Sequence, residues 1–411
     1  MADNNQGDGA SGDFFSTIPN FVSIQLDIVG FLAILGEGSV LANAQVSTLS
    51  KWMFVPRLLP APQALLRPSR PSRLDPALGR VTGVVSGNDR DALNHIGSIV
   101  LDADSLNEFE VRCVEIERND EAPVVKARAF GWLTANNILG AAFSLAILIL
   151  AAIWQDGMAL IAVCCLSLLS TVIGLGNKWT LKLPKRRYTK GHVPRGDVVI
   201  RHPKGSFLIV KCSEDVAREI FFAPENIEYL LEDQVMYRLL ALVGSILLMA
   251  GVICLANCQV KSQTCFAAAF MILNATYWIV AAFPARVHWN TSAFNVRSQR
   301  LESATKDKAF SDKNKSFTDK NKSFTQALFK AIVATKETDW VQLGDAAPRT
   351  AVWDQWLREA KEAARAAGIE NDKDLNMTVY KVPTDFDPQG RLRDLLNDPE
   401  FNASMAQAGH V

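Results

Sequence analysis

Ala129–Asn177 reads AFGWLTANNILGAAFSLAILILAAIWQDGMALIAVCCLSLLSTVIGLGN, a stretch with a single charged side chain, Asp156. The apolar runs on either side of Gln155-Asp156-Gly157 each reach the roughly 20 residues needed to cross about 30 Å of hydrocarbon. Leu239–Ala285 repeats the pattern around one charge, Lys261. Together these 96 residues hold two of the chain's 86 charges. Core helices of soluble proteins rarely stay uncharged for so long. The pattern therefore predicts an α-helical membrane protein with four transmembrane helices: Ala129–Gln155, Gly157–Asn177, Leu239–Val260 and Ser262–Ala285. Trp132, Trp154, Trp179 and Trp289 stand near their ends, where interfacial tryptophans collect. The connections within each pair are so short that the spans must form two hairpins.

Outside these runs the charges set an orientation. Arg112, Arg118, Lys126 and Arg128 precede the first span; Lys178, Lys182, Lys185, Arg186, Arg187, Lys190 and Arg195 follow the second; Arg286, Arg297 and Arg300 follow the fourth. Short basic flanks stay on the cytosolic side. The soluble parts are expected in the cytosol, with the tips at Asp156 and Lys261 on the far side of a plasma membrane or endomembrane. The 43 bases and 43 acids cancel, which excludes a general nucleic-acid binder. Residues 1–50 contain five acids and no base, unlike a secretory leader, so the first span is expected to serve as the signal anchor. Within that acidic segment, residues 21–47 are apolar but contain Glu37 between two glycines. An interfacial or protein-packed helix is favoured there over a fifth span, because a mid-bilayer carboxylate costs roughly 2.5–3.5 kcal/mol.

The soluble segments divide by composition. Residues 51–78 are rich in Pro and Arg, and six prolines forbid a regular helix, so this is an extended linker or an arm on lipid head groups. In 79–128, Asn88 is placed to cap a helix over 89–100, and Phe109–Cys113 alternates like a strand, with Pro123–Lys126 as a candidate partner. In 178–238, Val198–Arg201 and Phe207–Val210 flank a His202-Pro-Lys-Gly205 turn, Ser213 opens a helix, and Glu225–Asp233 reads as a second one. Pairing of this hairpin with strands from 105–128 gives a small cytosolic α+β module. Residues 286–325 form a basic linker in which Asp312–Thr318 is duplicated as Asp319–Thr325. Residues 326–411 are a cytosolic helical tail. Its amphipathic C-terminal helix, Thr350–Ala367, presents Trp353 and Trp356 on its apolar face, and a shorter helix lies near Leu392–Leu396.

Chemistry is sparse. The histidines are scattered, and no zinc, P-loop, dinucleotide or nucleophile-elbow motif occurs, so neither cofactor nor metal nor catalytic residue is assigned. Cys258 and Cys265 flank the second tip as a candidate disulfide or as two free thiols. Asn136, Asn137 and Asn274 are candidates for an intramembrane polar site, against the plainer role of helix-to-helix hydrogen bonding. Lys185, Arg186, Arg187, Trp353 and Trp356 are candidate membrane-surface contacts, the two tryptophans having docking on a neighbouring domain as the favoured alternative. Sequons at Asn290, Asn314, Asn321, Asn376 and Asn402 all fall on the cytosolic side in this topology.

The run GDVVIRHPKGSFLIVKCSEDVAREIFFAP, followed by YRLLALVGSILLMAGVICLANC and FMILNATYWIVAAFP, resembles multi-pass membrane proteins of filamentous fungi to which no activity is assigned. The resemblance spans roughly residues 125–290. It implies the architecture and brings no catalytic residues; some such proteins lie in secondary-metabolite clusters. Two functions follow: a non-enzymatic anchor or scaffold that presents its cytosolic module to a protein partner, or an accessory transporter or membrane-embedded enzyme for an apolar metabolite.

Overall fold

A computed structural model describes residues 37–119, 121, 125–183, 193–303, 319–372 and 377–399. Ile28–Gly36, Lys185–Arg187, the first heptapeptide copy and the sequons at Asn314, Asn376 and Asn402 lie outside these residues.

The helices in chain order are α1 (Glu37–Leu49), α2 (His95–Leu101), α3 (Trp132–Ile153), α4 (Gly157–Asn177), α5 (Glu214–Ala217), α6 (Gln234–Ala256), α7 (Val260–Ala281), α8 (Phe324–Thr335), α9 (Asp339–Leu343), α10 (Ala351–Ala366) and α11 (Pro388–Asn397). The strands are β1 (Ala77–Gly83), β2 (Asp89–Leu93), β3 (Glu110–Arg118), β4 (Lys126–Ala127), β5 (Trp179–Lys182), β6 (Val198–Arg201), β7 (Phe207–Lys211), β8 (Asn226–Tyr229), β9 (Trp289–Asn290), β10 (Phe294–Ser303), β11 (Asp319–Lys320), β12 (Ile369–Asp372) and β13 (Met377–Val382).

Helices α3, α4, α6 and α7 are each long and apolar enough to cross a membrane. Trp154–Asp156 join α3 to α4, and Asn257–Gln259 join α6 to α7. Helix α4 packs along α6 and α3 along α7. The other half of the molecule is a mixed sheet in the order β12-β13-β10-β3-β7-β6-β1-β2, with β11 also against β3. The expected β6–β7 hairpin is present, and β7 joins β3 in parallel, with Val111 opposite Phe207. Side chains alternate across the central strands. Val114, Ile116, Val198, Ile200, Leu208 and Val210 face one core, which contains α2 and Phe221 and continues through Trp179, Trp289, Leu133 and Val280 into the ends of the long helices. Val111, Cys113, Val199, Phe207 and Ile209 face the other core, covered by α8 to α11. Helix α8 is buried along Ala327–Thr335, with Lys330 among the buried side chains, as befits a helix covered on both sides.

Four local readings change. Asp89–Leu93 is strand β2, paired antiparallel with β1, and not the start of a helix; the helix begins at His95. Glu225 is not in an acidic helix, because Asn226–Tyr229 pairs as β8 with Trp179–Lys182. Lys126–Ala127 pairs with Trp289–Asn290 rather than with β3. The C-terminal tail is no appendage: β13 runs parallel to β10, with Arg300 opposite Val379, and completes the sheet.

The Glu225 carboxylate supplies what the sequence assigned to Asn88. Its two oxygens accept from the backbone N–H groups of His95 (3.0 Å) and Ile96 (2.8 Å), the first turn of α2. Burial pushes this carboxyl up to about 7, outweighing both N–H donors and the charge of Arg90. A raised acid pKa contributes stability that is complete below the unfolded value and is lost as pH rises to the folded one. The melting temperature is therefore expected to fall as pH rises from about 4.5 to 7, by a total of roughly 3 kcal/mol in stability, and then to level off. Glu225→Gln should flatten that profile in a thermal melt; an unchanged profile would remove Glu225 as its source.

The Pro/Arg-rich segment is the largest surprise in the helical half. Rather than extending into solvent, Met53, Leu58, Leu59, Ala61, Ala64 and Leu65 are buried among the long helices. Glycines make the room: a Cβ on Gly174 would lie 2.5 Å from Met53 O, one on Gly140 2.7 Å from Leu58 O, and one on Gly244 2.7 Å from Leu66 Cδ2. Gly140 is eight residues into α3, so the segment reaches about 12 Å along the helix axis.

Candidate functional site: polar contacts among the long helices

A non-helical segment between helices must find partners for its own backbone. Helix α4 provides most of them. Ser170 Oγ accepts from Arg57 N at 3.0 Å and Asn177 Nδ2 donates to Leu65 O at 3.1 Å. Thr171 Oγ1 donates to Phe54 O at 3.2 Å, and Leu58 N donates to Gly140 O at 3.3 Å on α3. The Arg57 side chain is 1% exposed. Its guanidinium closes the turn before it by donating to the carbonyls of Trp52 (3.3 Å), Met53 (3.1 Å) and Val55 (3.1 Å). Sequence reading counted Arg57 as a surface charge. Gly140 on α3 and Gly174 on α4, where any side chain would meet this segment, are the sequence signal that could have marked the close packing.

The structure separates the three predicted asparagines. Asn274 Oδ1 accepts from Ser39 Oγ at 3.0 Å, which ties α7 to α1. Asn43 Nδ2 adds bonds to Ser39 O at 3.0 Å and Tyr277 O at 3.3 Å. The described residues of this stretch, 37–47, belong to a helix packed on α7. Asn136 and Asn137 are 5% and 2% exposed and lie one turn from Gly140. Among the described residues, Asn136 Nδ2, both polar atoms of the Asn137 amide and Arg57 Nε lack a hydrogen-bond partner. Of the two best-formed cavities, one measures about 10 Å³, room for about one water, beside Ser50, Thr134 and His288. The other is an open depression of about 430 Å³ at Glu108, Phe109 and Pro203–Gly205. Neither is lined by the asparagines.

At the opposite end, Asp156 carries a role that the sequence reading missed. Its Oδ1 accepts from Ala159 N at 3.1 Å and caps α4, while Oδ2 accepts from Gln259 N at 2.8 Å and Ser262 Oγ at 2.7 Å at the start of α7. Burial alone would raise this carboxyl, but the bonds from Ser262, Gln259, Ala159 and Met158 outweigh it and hold it below the ordinary range. One carboxylate thus joins two helix N-termini, where negative charge is favoured. Asp156→Ala should cost about 2–3 kcal/mol, near two caps, with Asp156→Asn in between. A detergent melt equal to wild type would refute the joint.

The remaining candidates fall elsewhere. Cys258 and Cys265 are both free thiols, and Cys258 Sγ donates to Leu255 O at 3.0 Å. Trp356 is fully buried, its Nε1 donating to Pro388 O at 2.9 Å, and Trp353 packs edge-on against it at 5.4 Å. That face docks on the sheet domain, so Trp356 is not available to a lipid surface. Burial is the largest influence on His95, His202 and His288, and holds all three below the ordinary imidazole value. Burial pushes the Cys113 thiol up to about 12, far from a nucleophile's range. Among the described residues no three His, Cys, Asp or Glu side chains group as metal ligands. The chain matches no known family model, no curated protein and no solved structure.

Proposed function

We propose that this is a multi-pass integral membrane protein acting as a non-enzymatic anchor or scaffold, with its layered α/β domain held in the cytosol. Four helices of membrane-crossing length and composition support the first part. The observation that carries the second is the packing of Met53–Leu65 among the long helices. A carrier or membrane enzyme needs a passage or pocket among its helices, and here Met53–Leu65 pack into that space. In a bilayer the two helix pairs form hairpins with Asp156 and Lys261 at the far tips. Lys51, Arg128, Lys178 and Arg286 then stand on the cytosolic side, as the charge rule requires. Residues 51–66 become a re-entrant segment of the cytosolic half. Non-helical backbone is tolerated at that depth only when protein surrounds it. The large folded domain fixed at that end is the surface a cytosolic protein partner would meet.

Asn136 Nδ2 and the Asn137 amide, unpartnered among the described residues, favour a second reading, an accessory transporter or membrane-embedded enzyme for an apolar metabolite. A deletion strain separates the two by untargeted metabolite and lipid profiling with imaging of cytosolic proteins. The anchor predicts that a cytosolic protein leaves the membrane while metabolite levels hold. Accumulation of one apolar metabolite, reproduced by Asn136→Ala/Asn137→Ala, would overturn it.

A further inference from the structure

We propose that Lys51, Trp52, Arg128, Phe130, Trp132 and Phe283 form a binding surface for the head groups of anionic phospholipids in the cytosolic leaflet. The inference rests on the membrane reading above and adds to it a lipid class and a place. Three separate segments bring these residues together: the short turn Lys51–Phe54, the entry to α3 and the exit from α7. Trp52 Nε1 donates to Ala129 O at 3.0 Å, which holds its ring 6.3 Å from that of Phe130. Trp132 stacks on Phe283 at 5.5 Å. Phe130 is 81% and Trp132 55% exposed, an arrangement costly in water and natural at the level of lipid carbonyls and head groups.

The charges around the rings are of one sign. Lys51 and Arg128 are exposed, and among the described residues neither forms an ion pair. Arg128 is fixed in place, its backbone N–H donating to His288 O at 3.0 Å. Lys178 stands close enough to Lys51 for the two charges to repel. Arg286, just past α7, is paired with Asp102 at 2.8 Å. Further along the same helices, Ile138 and Leu145 on α3 and Met271 and Ile279 on α7 are exposed apolar side chains. An acidic protein could meet the charges but not those side chains; a leaflet with phosphate and carboxylate head groups meets both. The basic run at Lys185–Arg187, singled out from sequence, lies outside the described residues.

The test uses the full-length protein in nanodiscs of phosphatidylcholine with or without phosphatidylserine. Lipid that stays bound through detergent extraction is quantified by mass spectrometry. Wild type should retain phosphatidylserine preferentially. Each charge near an anionic surface is worth about five-fold, so Lys51→Gln/Arg128→Gln should reduce that preference more than ten-fold while its melt stays unchanged. Trp132→Ala should lower retention of both lipids. If wild type fails to co-float with vesicles, the membrane reading itself falls. If it floats but retains both lipids equally, as expected of charges that face an acidic protein, the proposal alone is overturned. Preference that survives Lys51→Glu/Arg128→Glu overturns it as well.

Discussion

Gly174→Ala is expected to destabilise the helical half, although alanine is the better helix former. In a helix with open space at this position the change would stabilise by about 1 kcal/mol. Here the new methyl would stand 2.5 Å from Met53 O and 3.0 Å from Met53 C, backbone atoms that cannot swing aside. Overpacking of this kind costs about 1–3 kcal/mol, and Gly140→Ala adds a second clash with Leu58 O. The double variant should lose about 2–6 kcal/mol, or release Met53–Leu65 from the groove. Release has its own signature: a cysteine at Leu59, buried in the native fold, becomes reactive to maleimide. A rise in melting temperature for either single variant would show that residues 51–66 do not occupy the groove.

What the sequence revealed, and what it hid, follows from the range of the interactions involved. The long helices were legible because a charge-free run of this length has few other uses. The β6–β7 hairpin was legible because Pro203 and Gly205 fix its turn, and Gly205 does take a φ of +72°. Helix α10 was legible from its stripe and from Thr350, whose side chain caps it. The Pro/Arg segment was half legible. Its prolines exclude a helix but say nothing about what surrounds the chain. At Gly140 the close-packed neighbour is the backbone of an irregular segment, Leu58 O, and not another helix. Strands β2 and β8 are short, and their polarity reads as helical until the partner strand is known. The parallel β10–β13 pairing joins Arg300 to Val379, and no local pattern encodes a contact at that separation. The same limit hid the buried network in which Gln299 Oε1 accepts from Tyr380 OH at 3.1 Å while its Nε2 donates to Glu115 at 3.2 Å.

Arg70→Ala should loosen the sheet domain from the helices while leaving each folded, and Arg70→Lys should recover less than half of the loss. Arg70 was read from sequence as one more linker charge. In the fold its guanidinium lies 4.0 Å from the ring centres of both Tyr229 and Tyr237, on β8 and α6. Two of its nitrogens donate to Gly176 O (2.7 Å) at the end of α4 and to Leu231 O (2.8 Å) just before α6. The tyrosines lock the strap in return: Tyr237 OH donates to Arg67 O at 2.6 Å and Tyr229 OH to Pro71 O at 2.8 Å. Two cation–π contacts at a half-buried site contribute about 0.5–1 kcal/mol each, and the two charge-assisted bonds about 1 kcal/mol each after solvent screening. The alanine variant should therefore lose roughly 3 kcal/mol. Lysine keeps the charge but cannot reach two carbonyls through a planar fork while lying between two rings. Hydrogen exchange locates the effect. Amides of β5, β8 and the first turn of α6 should exchange faster in Arg70→Ala, while those of β6 and β7 in the sheet centre stay protected. If protection falls equally everywhere, Arg70 holds up the whole fold rather than the joint. If it falls nowhere, the two halves are joined mainly through α1 and the Trp179–Trp289 contact, whose rings meet edge-on at 6.3 Å.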